Sequence, residues 1–119
     1  MPDGARTDRV SEEIREILAE EVPRLKDPRV GFVTITAVDV TPDLRRAVVY
    51  YTVLGEESEQ KATRAGLRSA RARLRQVIGG QVRLKVVPDL DFRLDDGEQE
   101  ARRVEELLEK IHKEDADDR

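Results

Sequence analysis

Regularly spaced cations are the strongest chemical signal in this chain of 119 residues. Residues 61–85 contain eight basic side chains and no acidic one, although the whole chain carries a net charge of −4. A helix would place five of them within an arc of about 80° that is about 21 Å long. Like charges at this spacing repel mildly, so the pattern favours contact with a polyanion, RNA or DNA, over an ordinary solvated face. We call these five residues the basic stripe: Lys61, Arg64, Arg68, Arg71 and Arg75.

Other basic residues could extend this surface. Arg83 and Lys85 follow the predicted helix and alternate with apolar residues, and we expect them to continue the contact with RNA. Arg45 and Arg46 lie at a predicted hairpin and are weaker candidates. Arginine outnumbers lysine in the stripe, which suits forked hydrogen bonds to phosphate groups.

Carboxylates offer the main catalytic alternative, as a Mg²⁺ site or an acid–base pair. Asp89 and Asp91 alternate with apolar residues, as on the solvated face of a strand. The sequence DDG at residues 95–97 is typical of a turn. His112 is the only histidine and there is no cysteine, so no nucleophilic set can be assembled. We therefore expect no enzyme activity, no metal and no cofactor. The carboxylates are Asp89, Asp91, Asp95 and Asp96.

Two further motifs have structural explanations. Gly79 and Gly80 lack the rest of a phosphate-binding loop, so they predict the C-terminal end of a helix. Tyr50 and Tyr51 could offer a ring to a base, but packing in a sheet is the favoured role.

The elements that position these residues follow from periodicity. Helices are predicted at about 8–21, with Asp8 as N-cap, at 58–78, with Ser58 as N-cap, and at 98–112. Strands are predicted at 32–40 and 46–54, joined as a hairpin, and from Val82 through to Leu94. A shift of apolar phase at Val38 indicates either a bulge or a strand buried on both faces. Residues 1–7 should be flexible, and 113–119 a charged, disordered tail.

Composition limits the class of protein. The order α-β-β-α-β-α predicts one α+β domain, with a three-stranded sheet covered by helices on one face. Only four residues are aromatic, so the core must consist mainly of Val, Leu, Ile and Ala. The absence of Cys excludes a disulfide scaffold, and no apolar run is long enough to span a membrane. We expect a cytoplasmic protein.

Five short blocks resemble the ribosome-binding factor A family. They are RV at 9–10, KDPRVG at 26–31, VDVTPDL at 38–44, AVVY at 47–50 and RLKVVPDLDF at 83–92. Their order and spacing match the family over about residues 6–112. The resemblance implies a type II KH-like domain over residues 8–112, α-β-β-α-α-β plus a C-terminal helix. It also implies a helix kink at Ala70, Arg71 and Ala72, where Ala-x-Gly of the family replaces the GxxG loop and Ala72 stands for the usual Gly.

The same resemblance implies a function. The protein would bind the free or immature 30S ribosomal subunit as a monomer, near the 5′ end of 16S rRNA, and would assist late folding and processing there, notably in the cold. An alternative is a protein–protein adaptor that uses its acidic terminal helices and presents the basic stripe to an acidic partner. An enzyme using the aspartates is a third hypothesis, and it would require metal-dependent turnover.

Overall fold

The computed structural model describes residues 2–95, 97, 108 and 109, with side chains from residue 6 onward. The predicted C-terminal helix lies outside these residues except at 108 and 109, which are helical, and the tail at 113–119 lies wholly outside them. None of the described helices is long and apolar enough to cross a membrane. The elements in chain order are α1 (Pro2–Glu21), a 3-10 turn (Val22–Arg24), β1 (Val33–Val40), β2 (Arg46–Val53), α2 (Glu57–Gln81) and β3 (Asp89–Leu94).

The three strands form one mixed sheet in the order β1-β2-β3. β1 and β2 are antiparallel, whereas β2 and β3 are parallel because α2 carries the chain back between them. α1 packs mainly over β1, and α2 lies over β2 and β3. Both helices and the sheet share a single buried cluster, which confirms the predicted α+β architecture. Its fully buried members include Ile14, Leu18, Val49, Tyr51, Leu67, Leu74 and Ile78.

Helix α1 begins earlier than the sequence predicted. It starts at Pro2, so Asp8 lies inside the helix and its assignment as N-cap is wrong. Proline is well tolerated in the first turn because its missing N–H has no partner there and its φ is already helical. Val10, Ile14 and Leu18, four residues apart, bury one face of the helix.

The phase shift in β1 is a bulge. The pairing register with β2 shifts between Ile35 and Ala37, which leaves Thr36 as the extra residue. The Thr36 hydroxyl donates a hydrogen bond to the Asp95 carboxylate at 2.7 Å, just beyond the end of β3. Of the two explanations for the pattern, the register therefore supports the bulge.

The third strand is shorter than predicted. Residues 82–88 are not a strand, and β3 begins only at Asp89, whose N–H donates to the carbonyl of Arg45 at 2.9 Å. Pro88 has no N–H to donate, so the ladder can start only after it. The apolar alternation from Val82 onward reflects a loop with a buried Val82 and an exposed Val86.

Helix α2 is one uninterrupted α-helix of 25 residues. The break predicted at Ala70, Arg71 and Ala72 is wrong, because alanine has the highest helix propensity and no glycine interrupts that turn. Gly79 and Gly80 also remain helical, and the helix ends only at Gln81.

The start of α2 also differs from prediction. Its N-cap is Glu56 rather than Ser58, because Glu56 and Glu59 form a reciprocal capping box. The Glu59 carboxylate accepts the N–H of Glu56 at 2.9 Å.

Candidate nucleic-acid interface

A groove runs between α2 and β3, one of the two edge strands of the sheet. One depression in it, of about 360 Å³, is bordered by Lys61 and Arg64 on the helix and by Leu94 on the strand. A second, of about 490 Å³, lies between three arginines of the helix and the first residues of β3. All five residues of the basic stripe therefore border this α2–β3 groove. The arginines of the second depression are Arg68, Arg71 and Arg75.

Four members of the stripe are exposed to solvent: Lys61, Arg64, Arg68 and Arg71. Lys61 lies 3.6 Å from Glu57, but both side chains are about four-fifths exposed, so this ion pair contributes little and leaves the cation available. These four side chains lie on one flank of α2, as their spacing predicted, and can meet a polyanion without disturbing the core.

Arg75 has a structural role that the other members of the stripe do not share. Its guanidinium donates to the carbonyl oxygens of Val87 at 2.9 Å and Pro88 at 3.2 Å. It also lies 3.5 Å from the carboxylate of Asp89. Arg75 thus holds the loop that leads into β3, and so fixes one wall of the groove.

The floor of the groove is apolar. Tyr51 is 2% exposed, and its ring meets Phe92 edge-on at a centroid distance of 6.4 Å. Burial raises the pKa of the Tyr51 phenol. Tyr51 therefore packs in the sheet and does not offer its ring to a base, while Leu94 is 44% exposed in the groove.

The other flank of α2 is closed by the loop at residues 26–31. Gly31 N–H donates to the hydroxyl of Thr63 at 3.2 Å, and Arg29 donates to the hydroxyl of Ser69 at 3.0 Å. A Cβ built on Gly66 would lie 2.6 Å from a methyl group of Val30. Glycine is needed at this position because the loop approaches the helix backbone closely.

This docked loop is ordered by a local ion pair. Arg29 and Asp27 form a bond of 2.6 Å between guanidinium and carboxylate. The Arg29 side chain and its backbone N–H both donate to Asp27, which lowers the pKa of that carboxyl to about 2. Sequence reasoning identified only a loop here. The signal in the sequence was Gly66, because a glycine in the middle of a helix indicates that another segment packs closely against the helix.

The hairpin arginines border neither depression of the groove. Arg46 pairs with Asp91, which also accepts from Arg93 at 2.9 Å. Burial alone would raise the pKa of Asp91, but the hydrogen bonds from Arg46 and Arg93 outweigh it and lower the pKa. Arg45 is exposed, and its carbonyl supports the start of β3.

The aspartates proposed as an alternative site have other partners. Asp89 and Asp91 meet arginines, and Asp95 accepts from Thr36 and from the N–H of Gly97. Within the described residues no cluster of carboxylates or histidines could hold a metal ion. Asp96 and His112 lie outside those residues.

Arg83 and Lys85 do not continue the groove in the way the sequence suggested. Arg83 borders a separate depression together with Arg6 and Arg9 of α1. Lys85 is exposed in the loop between α2 and β3.

Comparison with known proteins decides the family. The family model of ribosome-binding factor A matches residues 6–108. This chain belongs to that family. The ribosome-binding factor A of Geotalea daltonii is 42% identical over 114 residues, which are 95% of this chain and 93% of that protein. The ribosome-binding factor A of Thermobifida fusca is 43% identical over 118 residues, covering 98% of this chain and 78% of the relative.

Solved structures of the family share the fold. The crystal structure of ribosome-binding factor A from Thermus thermophilus superposes with a TM-score of 0.67 at 28% identity, over 74% of this chain and 93% of that one. A Thermus thermophilus homology model, fitted into the cryo-EM map of a 30S complex of that factor, superposes with a TM-score of 0.61 at 32% identity. It covers 73% of this chain and 92% of the other. The chain therefore has the family's KH-like fold, with the difference that α2 is continuous where the family resemblance predicted two helices.

Proposed function

We propose that this chain is a non-enzymatic assembly factor that binds the free or immature 30S subunit through the α2–β3 groove. The observation that carries the proposal is the row of four exposed cations along that groove: Lys61, Arg64, Arg68 and Arg71. A fold neighbour fitted into a 30S complex supports the choice of particle. We further propose that the chain acts in the cytoplasm as a monomer when free, and that it assists late maturation and 5′-end processing of 16S rRNA, including at low temperature.

The geometry favours RNA over an acidic protein as the occupant of the groove. From Lys61 to Arg71 the helix rises about 15 Å, so successive cations can follow the phosphates of one strand. Three of the four are arginines, whose planar forks match phosphate oxygens. The apolar floor at Phe92 and Leu94 gives an unstacked base a surface to cover.

Co-sedimentation tests the choice of particle. The chain should pellet with free small subunits in preference to assembled ribosomes at moderate salt, and added RNA should compete for it. Equal occupancy of both particles would contradict the proposal. A complex that persists at high salt and resists RNA competition would instead favour the protein–protein adaptor, since phosphate contacts weaken as salt rises.

Processing is tested in cells. Depletion of the chain should cause precursors with an unprocessed 5′ end of 16S rRNA to accumulate, and more strongly in the cold. Expression of the wild-type chain should remove them. Normal processing in depleted cells at low temperature would refute the maturation role while leaving subunit binding as a separate question.

A further inference from the structure

A second concentration of cations lies outside the groove. Arg6 and Arg9 come from the first half of α1, and Arg83 follows the C-terminal end of α2. More than seventy residues of sequence separate the two segments, yet the fold brings them to one depression of about 530 Å³. All three side chains are exposed. Sequence patterns assigned Arg83 to the stripe, so only the fold reveals this grouping.

The backbone beneath these arginines is fixed by the core. Arg9 precedes Val10, which is 6% exposed, and Arg83 follows Val82, which is 7% exposed. Both valines belong to the shared buried cluster. Three arginines thus border one concave surface, and Glu13 is the one carboxylate among the described residues that border it. The excess of positive charge favours an anionic occupant.

The depression and the α2–β3 groove are separate surfaces. They share no bordering residue among those described. α1 packs over β1, at the opposite edge of the sheet from β3. The loop pinned by Arg75 leads the chain from Arg83 to the start of β3.

We propose that Arg6, Arg9 and Arg83 form a second binding site for RNA phosphates, which takes a different RNA segment from the one in the α2–β3 groove. The proposal rests on the proposed function, in that RNA is the occupant of the first surface. Forked hydrogen bonds from three arginines suit phosphodiester oxygens. Two separate sites on one folded domain would hold two RNA segments near each other, which raises the effective concentration of each segment for the other.

The test counts RNA molecules bound to each chain. A short single-stranded RNA, added in excess, is followed by native mass spectrometry with the wild-type chain and three variants. The patch variant carries R6E, R9E and R83E, and the groove variant carries R64E, R68E and R71E. A control of equal charge change carries R24E, K26E and R73E, which replace three exposed cations that border a different depression of about 520 Å³. Thermal unfolding of each variant checks that the fold is retained.

The wild-type and control chains should bind two RNA molecules, and the patch and groove variants one each. For the patch variant, the salt dependence of total RNA binding should fall by about 2 in logarithmic slope, because three single-strand phosphate contacts are lost.

A patch variant that still binds two RNA molecules, or a wild-type chain that binds only one, would overturn the second site. Loss of small-subunit binding without loss of an RNA molecule would also overturn it, and would point to an acidic protein segment. Failure of the groove variant to lose an RNA molecule would instead contradict the proposed function.

Discussion

The two flanks of α2 are built from different kinds of residue for different kinds of neighbour. On one flank, long cations stand free above the groove, among them Arg64, Arg68 and Arg71. On the other flank, Gly66 is buried under the loop at 26–31, which also contacts Thr63. The apolar stripe that meets the sheet lies between these flanks. A single helix thus contacts the core, a docked loop and solvent. Small residues lie where the loop packs against the helix, and long cationic residues lie where the helix is open to solvent.

The largest expected effect comes from removing the open flank. The groove variant, R64E with R68E and R71E, should bind small subunits at least about a hundredfold more weakly, because each charge-assisted hydrogen bond contributes about 1.5 kcal/mol or more and the new carboxylates repel phosphate. Its melting temperature should stay close to wild type, since the three side chains are exposed. Sedimentation at fixed salt measures the loss. Full binding by a folded groove variant would place the RNA surface elsewhere, for instance at Arg45 and Arg46.

The closed flank should be sensitive to a single methyl group. Gly66→Ala gains about 1 kcal/mol of helix propensity but forces a Cβ against Val30, and overpacking of this kind costs about 1–3 kcal/mol. We expect a net loss of about 1 kcal/mol in the free energy of unfolding, measured by denaturant titration. The matched control is Gly80→Ala in the same helix, where the added Cβ meets nothing within 4 Å and stability should rise. A change of the same sign in both variants would refute the role of close packing.

Within the basic stripe, Arg75 and Arg71 allow a structural role to be compared with a binding role. Arg75→Gln removes a donor to two backbone carbonyls and should lower the free energy of unfolding by about 1 kcal/mol, whereas Arg71→Gln should change it by less than about 0.5 kcal/mol. RNA affinity should show the opposite order, with the larger loss for Arg71→Gln. Equal effects of the two substitutions on both measurements would show that Arg75 has no separate structural role.

The smallest effect concerns acid pH. The pKa of Asp27 is about 2 in the folded chain, below the unfolded value of about 3.9, so its ion pair with Arg29 stabilises the fold above that unfolded value. This contribution is lost as the pH falls from about 4 through about 2. Asp27→Asn should therefore lose less stability than wild type over that interval when unfolding is followed as a function of pH. Parallel curves for the two chains would contradict the assignment.

Local patterns in the sequence were enough to predict α1, α2, the two strands of the hairpin and the arc of the stripe. These follow from periodicity along one helix or strand, and the phase shift in β1 left a bulge as one of two explanations. The role of Arg75 could not be predicted, because its partners at Val87 and Pro88 become neighbours only when β3 joins the sheet. The separation of Arg83 from the stripe has the same cause, since a loop rather than a strand follows α2.

Resemblance to the family predicted the fold but misplaced one feature. The expected break in α2 depends on a flexible residue at one position, and this chain has Ala72 there. Local propensity therefore decided the outcome against the family pattern. The docking of the loop at 26–31 was missed because hydrogen bonds to Thr63 and Ser69 depend on contacts more than thirty residues apart in sequence.

Photo-crosslinking tests the central claim most directly, that RNA lies along the β3 flank of α2. A photoreactive amino acid is placed at Arg71 in one chain and at Arg73 in another. Both positions are exposed, and at about 100° per residue they lie on opposite sides of the apolar stripe. After irradiation with small subunits, 16S rRNA should be crosslinked from position 71 and not from position 73. Equal crosslinking from both positions, or crosslinking from position 73 alone, would contradict the account.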